Sequence, residues 1–448
     1  TTATTFTGAH SGSGANLTSL PAAQLTGALP AISGANLTGI AATDNVRTGI
    51  LDVAGIATFR NDVNIGTAVT ITESGLEATG VGITVANINE SQIGGRRNII
   101  VNGAMRVAQR GTSSTQDDIK TVDRFAAWET SVDESRTQSQ ITLNSSDSGP
   151  YQSGFRKAFR LTNGNQTSGA QANSRIFMSH TVEAREMANC GWDYTSTSSF
   201  VTLSFWVRAS VAQNYYGYLY NFDGTSLGFS FETGSLSANT WKKVVIKVPG
   251  ASDLQFDDDV NAGFYIVLSP FFGTNYTDSG NTLNQWAAWS GSSRMPDYAT
   301  TWYTTNDATF DWTGVQLEVG TQATPFEHRS FQQDYLECAR YYLQMTRLPV
   351  MSNRLAGYVS CTSRINPVPM RSVPSLSIAG TISFNSFFYG GGTPTSTTTP
   401  GLQNSGDAGA PYDADYFIVN FSGFSTGVFQ TNEFGEVFGT TIILNSEI

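Results

Sequence analysis

Apolar and polar residues alternate through most of this chain, which is the period of a half-buried strand. The alternation is clear in Phe200-Val201-Thr202-Leu203-Ser204-Phe205-Trp206-Val207-Arg208 and returns in Trp241–Val248, Ala262–Leu268 and Thr309–Val319. Turn sequences such as Asn221-Phe222-Asp223-Gly224 and Asp278-Ser279-Gly280-Asn281 separate these runs. The pattern predicts an all-β sandwich or jelly roll over residues 98–328, with Trp206 and Trp241 in its core. Helical spacing stands out at Phe331, Tyr335, Leu336, Ala339, Tyr342 and Leu343. Ser330 with Gln333 fits a capping box and Pro349 falls just past the end, so a short helix is expected within 329–347. Residues 348–448 read as β again, closing on the strand-like Thr440–Ile448, with a Gly/Thr/Pro/Ser-rich surface loop at Gly390–Pro400.

The first 97 residues follow another rule. Only Phe6 and Phe59 supply aromatic rings before Arg97, too few for a globular core. Ser13-Gly14-Ala15-Asn16-Leu17-Thr18 recurs as Ser33-Gly34-Ala35-Asn36-Leu37-Thr38, with the variant Ala23-Gln24-Leu25-Thr26-Gly27 between. Short β-branched runs follow at Asp62–Gly66, Ala68–Thr72 and Val81–Val85, each with one thin apolar edge. Three identical chains wound about an axis would cover such edges by symmetry, so 1–97 is expected to be a trimeric β stalk. A flexible linker would not need the regularly placed Leu, Ile and Val.

Composition narrows the partners. Charged residues make up 14% of the chain and the formal net charge is −11. No basic cluster exceeds pairs such as Arg96-Arg97, which argues against nucleic acid and anionic lipid. No apolar run approaches the ~20 residues of a membrane span. Cys190, Cys338 and Cys361 lack metal or disulfide spacing and suit free thiols in a chain folded in a reducing cytoplasm. The chain starts without Met, which leads one to expect an upstream segment.

Catalytic signatures are sparse. His10, His180 and His328 stand apart, and no nucleophile elbow, P-loop or dinucleotide fingerprint occurs, so an enzyme is not expected. Glycan hydrolysis needs only two carboxylates ~5–9.5 Å apart, which keeps Asp253, Asp257–Asp259, Asp307 and Asp311 in view as the alternative. The Asp257-Asp258-Asp259 run could also hold a structural Ca²⁺. For sugar binding, aromatic faces stack on pyranose C–H groups while amides and carboxylates hold the hydroxyls. Two clusters suit that chemistry: Trp286, Trp289, Tyr298, Trp302 and Tyr303 in a polar stretch, and Phe384, Phe387, Phe388 and Tyr389 beside the Gly390–Pro400 loop. Packing of these loops onto the sandwich is the alternative for both.

The chain also resembles a tail-fibre family of marine and cyanobacterial phages. The resemblance rests on the repeats Gly14–Leu20 and Gly34–Ile40, then Asn98–Met105 with Gln109-Arg110-Gly111, Asp123-Arg124-Phe125, Ser204–Ser210 and Gly314–Gly320. Ala323-Thr324-Pro325-Phe326-Glu327 followed by Cys338-Ala339-Arg340-Tyr341-Tyr342 carries it furthest, and the order of the motifs counts for more than any one of them. Phe205-Trp206-Val207-Arg208 with Phe310–Glu318 is similar to jelly-roll carbohydrate-binding modules, which often carry a structural Ca²⁺. The resemblance implies a homotrimeric virion fibre that binds host surface polysaccharide of the lipopolysaccharide type and joins other tail proteins through its N-terminal side. A C-terminal trimerisation role for the last hundred residues is a further alternative.

Overall fold

The computed structural model describes residues 63–65, 69–72, 75–78, 96–346, 348–351, 358–361, 368–372, 374–379, 382–386, 395–397, 399–403, 418–422, 434–438 and 441–447. The backbone forms two compact units, Thr1–Thr84 and Val85–Ile448. In the first, Val63–Ile65, Val69–Thr72 and Gly75–Ala78 make a three-stranded antiparallel sheet in chain order. The first two strands fall where alternation places them, whereas the repeats and Val81–Val85 lie outside the described residues.

The second unit is built on a jelly-roll-like sandwich of two six-stranded antiparallel sheets. Its strands are β1 (Ser113–Ser114), β2 (Phe125–Thr130), β3 (Thr137–Thr142), β4 (Lys157–Thr162), β5 (Arg175–Glu183) and β6 (Phe200–Ala209). They continue as β7 (Tyr216–Asn221), β8 (Leu227–Glu232), β9 (Lys242–Pro249), β10 (Ala262–Phe272), β11 (Trp286–Ala288) and β12 (Thr309–Val319). One sheet runs β11-β8-β7-β10-β5-β2, the other β9-β6-β12-β4-β3-β1. Alternation sends Phe229, Phe231, Ile266, Leu268 and Met178 inward from the first sheet. Phe159, Leu203, Phe205, Ile246 and Trp312 face them from the second. Trp312 is fully buried, edge-on to Phe125 at 5.3 Å and to Phe205 at 6.0 Å. Full burial of one such side chain is worth roughly 1.5–3 kcal/mol.

Asp311 points the other way on β12 yet is also fully buried. Arg160 Nε donates to its Oδ1 at 2.6 Å and Arg208 Nε to its Oδ2 at 2.8 Å, and Arg208 continues to Asp147 at 2.7 Å. Trp241 donates its indole N–H to Asp147 and packs in this outer layer with Trp206, which is half-buried. The expectation that both tryptophans are core residues holds for the buried Trp241 and is corrected for Trp206: the residue that turns inward there is Phe205, and Trp206, one position on, must face outward.

The expected helix forms as Phe331–Ala339 with its capping box complete, the Ser330 hydroxyl accepting from Gln333 N and the Gln333 side chain from Ser330 N. It ends sooner than the periodicity predicts. Tyr342 and Leu343 belong to a strand, β13 (Tyr342–Met345), because the chain's last strand pairs with them. That strand, β15 (Thr441–Asn445), lies between β13 and β14 (Ser375–Ala379). A further seven-stranded sheet runs in the order Thr395–Thr397, Ile382–Ser386, Phe434–Phe438, Leu348–Met351, Tyr358–Cys361, Ile418–Ser422 and Thr399–Gln403, so the all-β expectation holds for the C-terminal region as well. Of the thiols, Cys338 is buried and Cys190 half-buried, both free.

Charges join these strands to the sandwich. Glu447 pairs with Arg124 and with Arg110 (3.1 Å), and Glu183 takes Arg340 on both oxygens at 2.9 Å. The Arg124 side chain is 2% exposed, so removing its partner leaves a buried, unanswered charge. Glu447→Ala is expected to cost about 3 kcal/mol in urea unfolding. Burial pushes the neighbouring Asp123 carboxyl up to about 6, against the opposing pull of Arg110 and Gln109. Because that value exceeds the ordinary 3.8, ionising Asp123 favours the unfolded chain, and its contribution is lost as pH rises through about 6. The stability of Asp123→Asn relative to wild type should therefore improve between about pH 4 and pH 8, measured by urea titration at both.

Candidate functional site

The outer face of the β11-β8-β7-β10-β5-β2 sheet carries a second aromatic layer. On β7, Leu219 points into the core, and Tyr216, Tyr218 and Tyr220 therefore point out. Register sets Tyr220 opposite Tyr265 and Tyr218 opposite Val267. The Trp289 ring lies over the strand beside them, with centroids 4.6 Å from Tyr220 and 5.1 Å from Tyr218. Phe222, 42% exposed, meets Tyr220 edge-on at 4.9 Å and reaches Tyr265 at 5.8 Å.

Local structure fixes this strip. Asn221 closes the β7–β8 hairpin by donating to Asp223 and Thr225 carbonyls and accepting from Leu227 N at 2.7 Å, with Gly224 at positive φ. This turn presents Phe222. The Trp289 amide donates to Ser226 O at 3.0 Å, and the indole covers Gly228, where an added Cβ would meet the ring at 2.8 Å. Tyr220 and Ser226 hydroxyls bond each other at 3.0 Å. Burial pushes the Tyr218 hydroxyl well above the usual tyrosine range; Tyr265 adds to this and Arg294 opposes it. It stays protonated and can both donate and accept.

Beside the strip opens a cleft of about 230 Å³ lined by Ser230, Asn281, Gln285, Trp289, Ser293 and Arg294. Aromatic faces next to hydroxyl, amide and guanidinium groups can take a ligand that is apolar on its flat side and hydroxylated at its edges. A separate cleft of about 250 Å³ on the opposite sheet has Ser153, Phe155, Trp206, Lys243, Phe326 and His328 in its wall.

Of the expected sugar-binding cluster, Trp289 alone takes part in the strip. Trp302 and Tyr303 are fully buried, their polar atoms bonded to Thr309 O and Ser131 O, and offer no face to a ligand. Trp286 is an edge-strand residue packed on Phe229, its indole N–H held by Pro249 O at 2.7 Å. Tyr298 spends its hydroxyl on Ser269 and Tyr216 beneath the strip. The stretch shows no pattern in sequence because its aromatics fill irregular gaps, which alternation cannot register. Phe387, Phe388 and Tyr389 lie outside the described residues, and Phe384 falls in the strand Ile382–Ser386. The site residues that sequence reasoning misses are Tyr218, Tyr220, Phe222 and Tyr265. Tyr216-Gly217-Tyr218-Leu219-Tyr220 holds the signal: a strand with aromatics on the face opposite its core residue.

Five of the six carboxylate candidates are engaged in local structure, Asp257 accepting from Gln255 and Asp307 from Asn306. Asp311 is clamped by its two arginines. Asp258 accepts from Asn189, Asp259 from Asn261, and the Asp257 amide binds Asp223. Burial and the charges of Asp257 and Asp259 raise the Asp223 carboxyl. Among the described residues no group of three or more His, Cys, Asp and Glu side chains is spaced to hold a metal, the Asp257–Asp259 run included. His180 is buried against Phe125, and burial with Arg124 nearby drives its pKa well down.

No family model and no curated protein matches the chain. Solved structures do. A bacteriophage CBA120 tailspike protein 4 enzymatically active domain covers 50% of this chain and 21% of its own, at 10% identity and TM-score 0.26. A family 11 carbohydrate-binding module from Clostridium thermocellum, in complex with a mixed-linked tetrasaccharide, covers 47% and 98% at 10% identity and TM-score 0.22. The tandem CBM22 domains of Paenibacillus barcinonensis Xyn10C cover 81% and 100% at 7% identity and TM-score 0.24.

The close approach at Gly228 supplies a test of the strip itself. Gly228→Val should lift the Trp289 ring off the sheet, seen as a red shift of tryptophan emission. An unshifted spectrum would mean the ring does not rest there.

Proposed function

We propose that this chain is a non-catalytic carbohydrate-binding fibre protein that attaches a phage to glycan on its host's surface. The observation that carries this reading is the outward strip Trp289–Tyr220–Phe222–Tyr265 beside a polar cleft. Sugar rings present C–H faces suited to such rings, and the cleft's amides and hydroxyls suit their edges. A face this shallow binds one chain of sugars weakly. Three copies in a trimer, borne on the repeat-rich N-terminal region, would raise the effective concentration enough for attachment. Host attachment and the trimer are supported by the repeats and by the ordered motifs that resemble those of tail fibres.

Titration calorimetry of the full chain against host surface polysaccharide tests the site. Trp289→Ala and Tyr220→Ala should each weaken binding about tenfold, the loss of roughly 1.4 kcal/mol. Both variants should keep the wild-type melting profile, and the bound polymer should keep its length. Wild-type affinity in both variants would move the site elsewhere. Shortened polymer would make the protein a depolymerase. Light scattering should return a trimer mass, and a monomer would remove the avidity argument.

A further inference from the structure

Among the described residues, two guanidiniums on the same face have no carboxylate paired with them. Arg294 lies over the Tyr276 ring at 5.1 Å and the Trp289 ring at 5.4 Å, its Nε tied to Gly291 O at 3.0 Å. Arg175 lies over Tyr276 at 4.8 Å and Phe177 at 5.6 Å, its Nε tied to Thr130 Oγ1 at 3.0 Å. Neither forms an ion pair among the described residues, whereas Arg110, Arg124, Arg136, Arg160 and Arg208 in the same sandwich each hold one. Scarcity of acid is not the reason, since the chain has 36 Asp and Glu against 25 Lys and Arg.

Nearby carboxylates are occupied elsewhere. Asp297 accepts from Thr277 at 2.6 Å, Glu232 from Asn214 at 2.6 Å and Asp278 from the Gly280 amide at 2.8 Å. Asp118 acts on Tyr265, more weakly than Arg175 and Arg294 do, and is paired with neither arginine. Both guanidiniums lie over the Tyr276 ring, and no ion pair among the described residues neutralises their charge. A guanidinium in that state is suited to a carboxylate, sulfate or phosphate, which it can bind through two parallel N–H groups.

We propose that the sandwich selects anionic glycans: an oxyanion carried on a sugar seats at Arg175 and Arg294 about Tyr276, while a neighbouring sugar ring stacks on Trp289 and Tyr220. The inference rests on the carbohydrate reading of this face and adds the charge of the ligand. A net charge of −11 works against non-specific capture of polyanions, so selectivity of this sign has to come from the local pair.

Native affinity electrophoresis of the full chain in gels holding alginate, dextran sulfate or plain dextran tests it. Alginate or dextran sulfate should retain the wild type at least tenfold more strongly than dextran, which identifies carboxylate or sulfate as the group taken. The double variant Arg175→Gln/Arg294→Gln should hold alginate and dextran sulfate no more strongly than it holds dextran itself, with its melting profile intact. Trp289→Ala should weaken retention on every gel that shows it. Should the double variant misfold, the salt dependence of the wild type serves instead: added NaCl should release the anionic polymer and spare dextran. Equal retention of the wild type on all gels, a silent double variant, or no retention on either anionic gel would overturn the proposal. Retention on dextran that Trp289→Ala weakens would leave the carbohydrate reading standing; retention that Trp289→Ala never alters would remove that reading as well.

Discussion

A strand buries every second residue, and a two-sheet sandwich can use only one row from each strand for its shared core. The remaining rows must be covered or left to water. Each sheet of this protein meets the constraint differently. Behind Trp312 and Phe310, the outward Asp311 is sealed by Arg160 and Arg208, so that face closes over a charge cluster. Behind Leu219 and Ile266, the outward row is tyrosine, and the face stays partly open. The sealed charge cluster and the open aromatic row thus fall on opposite sides of one core.

The fold is readable in the sequence where one period governs. Phe200–Ala209 and Thr309–Val319 alternate cleanly, and the Ser330/Gln333 box marks a helix start with purely local chemistry. Trp206 is misplaced because alternation gives two faces without saying which is inner. The helix end is misplaced because β15 arrives from a hundred residues away in sequence and claims Tyr342 and Leu343 as strand, a tertiary demand that outranks local spacing. The site is only partly legible for the same reason. Trp289 reaches Tyr220 across the sheet, while Trp302 and Tyr303, its neighbours in sequence, plug the core.

Ion pairs bind the parts of the second unit that hydrophobic clusters bind only lightly. Glu183 and Glu447 each meet arginine from a distant element, and Arg371 adds bonds to the carbonyls of Val260, Ser446 and Glu447. Replacing Glu447 strands the buried Arg124, and replacing Glu183 leaves the half-buried Arg340 without its bidentate partner, so these contacts specify one arrangement of the C-terminal strands against the sandwich at the cost of tolerance to substitution.

The place of β12 has a kinetic consequence. It lies between β6 and β4, and the Asp311 contacts to Arg208 and Arg160 span 103 and 151 residues of chain. Its neighbours on either side must wait, their edges unpaired, until a strand that far along the chain slides between them. Folding of such a topology is slow because loop-closure entropy is lost before the pairing compensates it. The reverse step then requires a central strand, hydrogen-bonded on both edges, to withdraw from between its partners. A molecule built this way resists opening through the height of a barrier as much as through the depth of a well.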